Sequence, residues 1–154
     1  LRTKHPVSVL VVVHTTRLEV LLLERAAHSG YWQSVTGALQ PPEALEAAAV
    51  RELREETGIE AAQGRLERWN VANTFEIFAQ WRHRYPAGVT HNTEHVFSLE
   101  LAHRLPVVVA PREHLAFAWL PWREAAAKCF SWSNRDAILM LGERAATARD
   151  SCGA

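Results

Sequence analysis

Disulfide chemistry has little to work with in this chain, whose 154 residues include only two cysteines, Cys129 and Cys152. They lack the C-x-x-C spacing of a zinc site, and Cys152 lies in a polar tail, so both read as free thiols. A disulfide-stapled scaffold is excluded, and none is needed: a chain of this length buries roughly two thirds of its unfolded surface on its own. Long apolar runs are missing as well. The longest aliphatic stretch, Val9 to Val13, falls far short of the roughly 20 residues that span a bilayer. The sequence opens at Leu1 with no basic leader ahead of an apolar core, so the expected location is the cytoplasm. Charge of one sign is absent too, since 17 Lys and Arg face 17 Asp and Glu. That balance argues against a nucleic-acid partner bound over a broad surface, but leaves room for a local phosphate pocket. With no repeat, linker or low-complexity tract, residues 1–154 read as one monomeric domain.

What is present is a strand-and-helix alternation. Residues 6–14 and 18–25 are two aliphatic runs around Thr15-Thr16-Arg17, the pattern of a buried hairpin. Residues 30–42 break into aromatics, small polar residues and prolines, and read as a loop feeding a helix over 43–57 that Gly58 ends. Residues 65–73, 74–84, 94–102 and 115–120 have strand character. Pro121 opens a short Ala-rich helix. Ser133 and Asp136 suggest a capping-box start to a last helix reaching about Ala146, with a frayed tail over 147–154. The order implies an α/β fold, a mixed sheet covered on both sides by helices.

The informative segment is GALQPPEALEAAAVRELREETGI, residues 37–59. On a helix, Glu52, Glu55 and Glu56 share one patch, while Ala49, Val50 and Leu53 centre about a third of a turn away. One side can therefore pack on the sheet while the carboxylates border a cleft. Like charges at this spacing repel, and a divalent cation removes the cost. Oxygen-dominated ligation suits Mg²⁺, or Mn²⁺, and Mg²⁺ characteristically joins carboxylates to substrate phosphates. A phosphoanhydride is the implied substrate. Arg51 can pair with Glu55 and reach Glu43, holding both in place. Glu43, in the first turn, favours the positive helix end. Gly37 stands where a strand turns into the loop, and its missing side chain permits close approach to metal or phosphate.

An Arg-Glu-rich helix is usually just a solvated face, but the joint spacing of Gly37, Glu43, Arg51, Glu52, Leu53, Glu55, Glu56, Gly58 and Ile59 arises by chance in about one chain of this length in 10⁷ to 10⁸. These residues match every fixed position of the Nudix box, and the chain resembles a Nudix hydrolase. Gln40 and Pro42 stand where many members carry Glu and Gly. The resemblance implies an α/β/α sandwich around a mixed sheet and Mg²⁺-dependent hydrolysis of a phosphoanhydride. It implies Glu52, Glu55 and Glu56 as metal ligands, Glu55, Glu56 and Arg51 as members of the catalytic set, and Gly37 and Glu43 as supports. Residues 6–13, 31–37, 75–85, 88–94, 113–120 and 131–138 extend the likeness to the bacterial subgroup acting on dihydroneopterin triphosphate, an early step of folate synthesis. A broader (d)NTP pyrophosphohydrolase, or a Nudix-fold module that binds nucleotide or nucleic acid without cleaving it, stays open.

Outside the box, the resemblance to this subgroup implies Glu113 as a further metal-binding or base carboxylate, with Glu94 as its rival. His114 and His91 read as hydrogen-bonded structural histidines. Trp81, His83 and Tyr85 alternate with Arg82 and Arg84, which on a strand separates an aromatic face from a basic one. Arg84 and Arg25 are candidate phosphate contacts, and Tyr31, Trp32 and Gln33 candidate contacts for a flat ring.

Overall fold

Val7–Thr15 forms β1, apolar on both faces, the composition of a strand covered from both sides. In the computed structural model, which describes residues 3–152, it is the centre of a seven-stranded mixed sheet. On one side β6 (His91–Leu101) runs parallel to it along its whole length. On the other, β4 (Val35–Ala38) pairs antiparallel with Ser8 to Val11, and β2 (Glu19–Arg25) meets it at one rung, His14 opposite Val20. Beyond that rung β2 is flanked by β3 (Trp32–Gln33) and β7 (His114–Pro121), while β5 (Arg65–Glu76) adds to β6.

Strand alternation divides the core in two. Val9, Val11 and Val13 join Leu21, Leu23, Phe97 and Leu99 under α1 (Leu45–Thr57), which contributes Ala48, Ala49 and Leu53. Leu10 and Val12 join Val20, Leu22 and Val96 under α2 (Trp122–Lys128) and α3 (Trp132–Cys152), which contribute Ala125, Ala126, Ala137, Ile138 and Leu141. Each fully buried Val or Leu stabilises the fold by about 1.5–3 kcal/mol relative to exposure. The result is the expected α/β/α sandwich. Among the described residues no helix is long and apolar enough to cross a membrane.

Several expectations are corrected. The two N-terminal strands pair antiparallel as expected, but only at the His14–Val20 rung, because β4 takes the edge of β1 that the rest of β2 would need. That strand and β3 lie within residues 30–42, read above as loop. The first helix begins at Leu45, so Glu43 precedes it and Glu46 is the acid of its first turn. It ends as expected on Gly58, left-handed at φ 75°, whose N–H donates to the Arg54 carbonyl. Residues 65–76 are one strand, and past Glu76 the chain has no strand partner, so Ala79–Arg84 satisfies its backbone locally as a 3₁₀ helix. Ser131, not Ser133, caps α3, its hydroxyl accepting the Asn134 N–H. The helix continues past Ala146 to Cys152, so the expected frayed tail is helical up to there, and 153–154 lie outside the described residues. Cys129 is a free, half-buried thiol, whereas the Cys152 side chain lies outside the description.

Candidate active site

Packing Leu53 and Ala49 of α1 on the sheet turns Glu52 and Glu56, one helical turn apart, toward β4. Both are buried, whereas Glu55 keeps 54% of its side chain exposed. Val50 is only half-buried, and Ala48 takes its expected place in the core. Arg51 organises the rim. Its Nη2 and Nε donate to Glu43 at 2.7 and 3.1 Å, and its Nη1 donates to Glu52 at 2.7 Å and to Glu55 at 3.3 Å. Nη2 also donates to the Ala38 carbonyl, and Glu43 accepts the Gln40 N–H, so this paired guanidinium ties loop, strand and helix together. Gly37 lies inside β4 rather than at a turn. A Cβ there would overlap the Glu52 carboxylate, so the glycine makes room for that side chain.

Glu56 is 2% exposed. Its Oε2 accepts the Thr36 N–H at 3.0 Å, and its Oε1 lies 3.4 Å from His114 Nε2. Glu113 stands in the turn before β7, with its carbonyl accepting the Ala26 N–H at the end of β2. Ligand atoms of Glu56, Glu113 and His114 all lie within 4.8 Å of one another. Glu52 and Glu55 fall outside this group, and His114, read above as a hydrogen-bonded structural residue, falls inside it with its Nδ1 buried and unpartnered. Burial and the neighbouring Glu52 and Glu113 charges hold the Glu56 carboxyl well above the ordinary range. Burial pushes Glu52 up to about 7 despite Arg51, and pushes His114 down to about 4. Two desolvated carboxyls, a rim carboxylate and a neutral imidazole form a donor set that a divalent cation fits, because its charge offsets the repulsion that protonation otherwise relieves.

The acidic group opens into a cleft of about 930 Å³. Arg25 crosses it, stacked 4.7 Å from the Trp81 ring and donating to Gln33 Oε1 at 3.1 Å. Arg84 and Lys4 also line it, and burial, Arg84 and Arg25 together depress the Lys4 ammonium. The 3₁₀ helix explains why Phe78, Trp81 and Arg84 all face the cleft, since residues three apart eclipse in that geometry, and Tyr85, which caps its C-terminal end, lines the cleft beside them. Arg82 instead pairs with Glu76. The strand alternation expected there does not occur. Trp32 is corrected too. Gln33 lines the cleft, so its neighbour on β3 faces the other way, into the second core, with Lys128 4.9 Å over its ring. His91 is exposed and bonded to Thr90, outside the cleft.

Sequence reasoning missed Asn92, Phe75, Trp132 and Ser133 as cleft residues, and weighed Glu94 only as a rival to Glu113. The available signal was Asn92 and Glu94 at alternate positions of a strand whose same face continues with Val96. Among the described residues, the buried side-chain atoms without a hydrogen-bond partner are Arg25 Nε, Asn92 Oδ1, Glu94 Oε1 and His114 Nδ1, and every one belongs to a cleft residue. Buried polar atoms are rarely left unpaired, so this concentration marks a ligand site.

Residues 4–141 match the NUDIX domain family. The chain is 45% identical over 138 residues to the dihydroneopterin triphosphate diphosphatase of Escherichia coli K12, covering 88% of this chain and 91% of that protein. It is 35% identical to a protein of the same name from Haemophilus influenzae, covering 88% and 86%. The solved E. coli dihydroneopterin triphosphate pyrophosphohydrolase superposes with a TM-score of 0.84 at 45% identity, over 90% of this chain and 95% of that one.

Proposed function

The chain belongs to the NUDIX family of hydrolases, and from that membership we propose that it cleaves dihydroneopterin triphosphate to dihydroneopterin monophosphate and pyrophosphate, with Mg²⁺ as cofactor and Mn²⁺ as a substitute. The observation that carries the reading is the convergence of Glu56, Glu113 and His114 in a cleft that also holds Arg25, Arg84 and Lys4. Anion-binding cations facing a candidate metal centre are what a polyphosphate chain requires. The pterin comes from the relatives' substrate.

A bound divalent cation would polarise a phosphoryl oxygen and make its water more acidic. Glu56, Glu113 and His114 would hold it, with Glu52, whose charge acts on Glu56, beside them. Arg51 fixes the geometry by fastening Glu43, Glu52 and Glu55. Arg25, Arg84 and Lys4 bind phosphate oxygens and offset the charge that grows on the leaving pyrophosphate. Glu113, exposed at the mouth, is the carboxylate we assign to accept the proton of the attacking water. Residues 1–154 act in this reading as one cytoplasmic, monomeric domain.

The test is pyrophosphate release from dihydroneopterin triphosphate and from dATP at equal concentration, with Mg²⁺ and with chelator. A Mg²⁺-dependent preference for the pterin is expected. Equal turnover of dATP would replace the reading with a broader nucleotide pyrophosphohydrolase, and no release from either would overturn it.

A further inference from the structure

We propose that Glu94, with Asn92 beside it, accepts hydrogen bonds from hydroxyl groups on the chain that joins the substrate's ring to its triphosphate, and so holds that linker without choosing among rings. The inference rests on the proposed function in taking the ligand to be a heterocycle carried on a triphosphate. Its evidence lies in a part of the cleft that the reaction itself does not use.

Glu94 is 6% exposed, one of its oxygens accepts the Ser133 hydroxyl, and Oε1 has no partner. Two residues earlier on the same face of β6, Asn92 donates from Nδ2 to Ser8 Oγ at 2.8 Å and leaves Oδ1 bare. Both residues line the cleft and both vacant atoms are acceptors, so the ligand group that completes them must be a donor. Glu94 stands apart from the acidic centre, since Glu56, Glu113 and His114 form their cluster without it and none of them is among the influences on its carboxyl.

Sheet register fixes which part of the ligand reaches these atoms. Ala38 of β4 stands directly opposite Ser8 of β1, Ser8 opposite Glu94 of β6, and Asn92 opposite Phe75 of β5, so these cleft residues share one face of the sheet. The Ala38 carbonyl accepts Arg51 at the acidic rim. Two strand spacings, about 10 Å, separate Ala38 from Glu94. One strand further out, Phe75 meets Trp132 edge to face at 6.5 Å, and 46% of Trp132 remains exposed, which makes an apolar wall for a flat ring. The half-buried Tyr85 hydroxyl feels Arg84, Arg25 and Glu94 together, which sets Glu94 beside the phosphate cations. A ligand with its phosphates at the rim and its ring on the wall lays its linker across β6.

Hydroxyls are the donors that such a linker offers. The chain of dihydroneopterin triphosphate carries two free hydroxyls, one for each vacant acceptor, whereas a deoxyribose carries one. An ionised carboxylate is a stronger acceptor than an amide, so Glu94 takes the single hydroxyl. Pterin and purine triphosphates both make this contact, and the pterin chain adds a second bond at Asn92.

The experiment measures KM, or a calorimetric dissociation constant for ligands that are not hydrolysed, at pH 8.5, where Glu94 is ionised. The ligands are dihydroneopterin triphosphate, dATP and 2′,3′-dideoxy-ATP, and the proteins are the wild type and Glu94→Ala. In the wild type, loss of the 3′-hydroxyl from dATP to its dideoxy analogue should weaken binding about tenfold. In Glu94→Ala the constants for dATP and the pterin should each rise about tenfold, while that for the dideoxy analogue moves less than threefold. The dATP–dideoxy comparison needs no variant and so decides the matter even if the substitution impairs folding. Equal binding of the two nucleotides by the wild type, or a variant that keeps the tenfold preference for dATP, would overturn the inference. A wild type inert toward dihydroneopterin triphosphate that still separates dATP from its dideoxy analogue refutes only the proposed function.

Discussion

Glu94→Gln should stabilise the metal-free protein in alkaline solution and do far less in acid. Burial raises this carboxyl from 4.5 to about 7, against a single opposing hydroxyl from Ser133. A folded-state value above the unfolded one means that folding is penalised by ionisation. The penalty is absent below about pH 4.5, grows as pH rises toward 7, and is constant above it. At about 1.4 kcal/mol for each pH unit separating the two values, its plateau is about 3 kcal/mol. For a domain of this size that corresponds to a rise of about 6–12 °C in melting temperature. The amide introduces a buried N–H₂ that costs about 1–3 kcal/mol if left unbonded, but that cost does not vary with pH. The assay is therefore calorimetric melting of both proteins in chelator at pH 5 and pH 8.5, reading the change in their difference. A difference that stays the same at the two pH values would falsify the picture of Glu94 as a desolvated, ionising carboxylate.

Gly37→Ala should lower kcat/KM about 100-fold while the melting temperature falls by only a few degrees, because the new methyl displaces the Glu52 carboxylate from Arg51 without straining the backbone. Steady-state kinetics beside a melting curve checks this, and near-wild-type turnover would show that the position of Glu52 is immaterial. Glu56→Gln should reduce turnover by at least about 10²–10³-fold and abolish the Mn²⁺-induced rise in melting temperature, yet melt no lower than the wild type in chelator at pH 8, since the amide replaces a carboxyl whose ionisation burial, Glu52 and Glu113 all oppose. The thermal shift given by Mg²⁺ or Mn²⁺ to the wild type should be larger at pH 8 than at pH 6, because Glu52, at about 7, and Glu56, higher than ordinary, must lose protons before they can assist a cation. A shift independent of pH would remove these carboxyls from the cation's surroundings.

The readable features of the sequence were those set by local spacing. The helix read over residues 43–57, its Gly58 end, and the reach of Arg51 to Glu55 follow from 3.6-residue geometry and needed no knowledge of the rest of the chain, whereas Glu43, ahead of the helix, is brought to Arg51 by the loop. The sandwich followed from the order of apolar runs. What stayed hidden depended on partners distant in sequence. His114 joins Glu56 only because β7 is drawn beside β2, and nothing near residue 114 announces it. Trp32 and Gln33 exchange the roles available to them according to which face of β3 meets the cleft. The stretch 79–84 has strand composition but no strand to pair with, so the missing neighbour decided its conformation.

The parallel pairing of β1 with β6 has a consequence for how the molecule comes into being. Every rung from Val7–Thr93 to Thr15–Leu101 joins residues separated by more than half the chain, while the local contact that could have nucleated β1, the turn to β2, provides one rung. A topology so rich in distant contacts folds on the slower side, in milliseconds to seconds rather than microseconds. During synthesis the stripe Val9 to Val13 leaves the ribosome long before its partner strand exists. Until Leu101 has emerged, the most apolar segment of the protein has β4 and β2 on one edge but a bare edge on the other, and in that interval aggregation competes with folding.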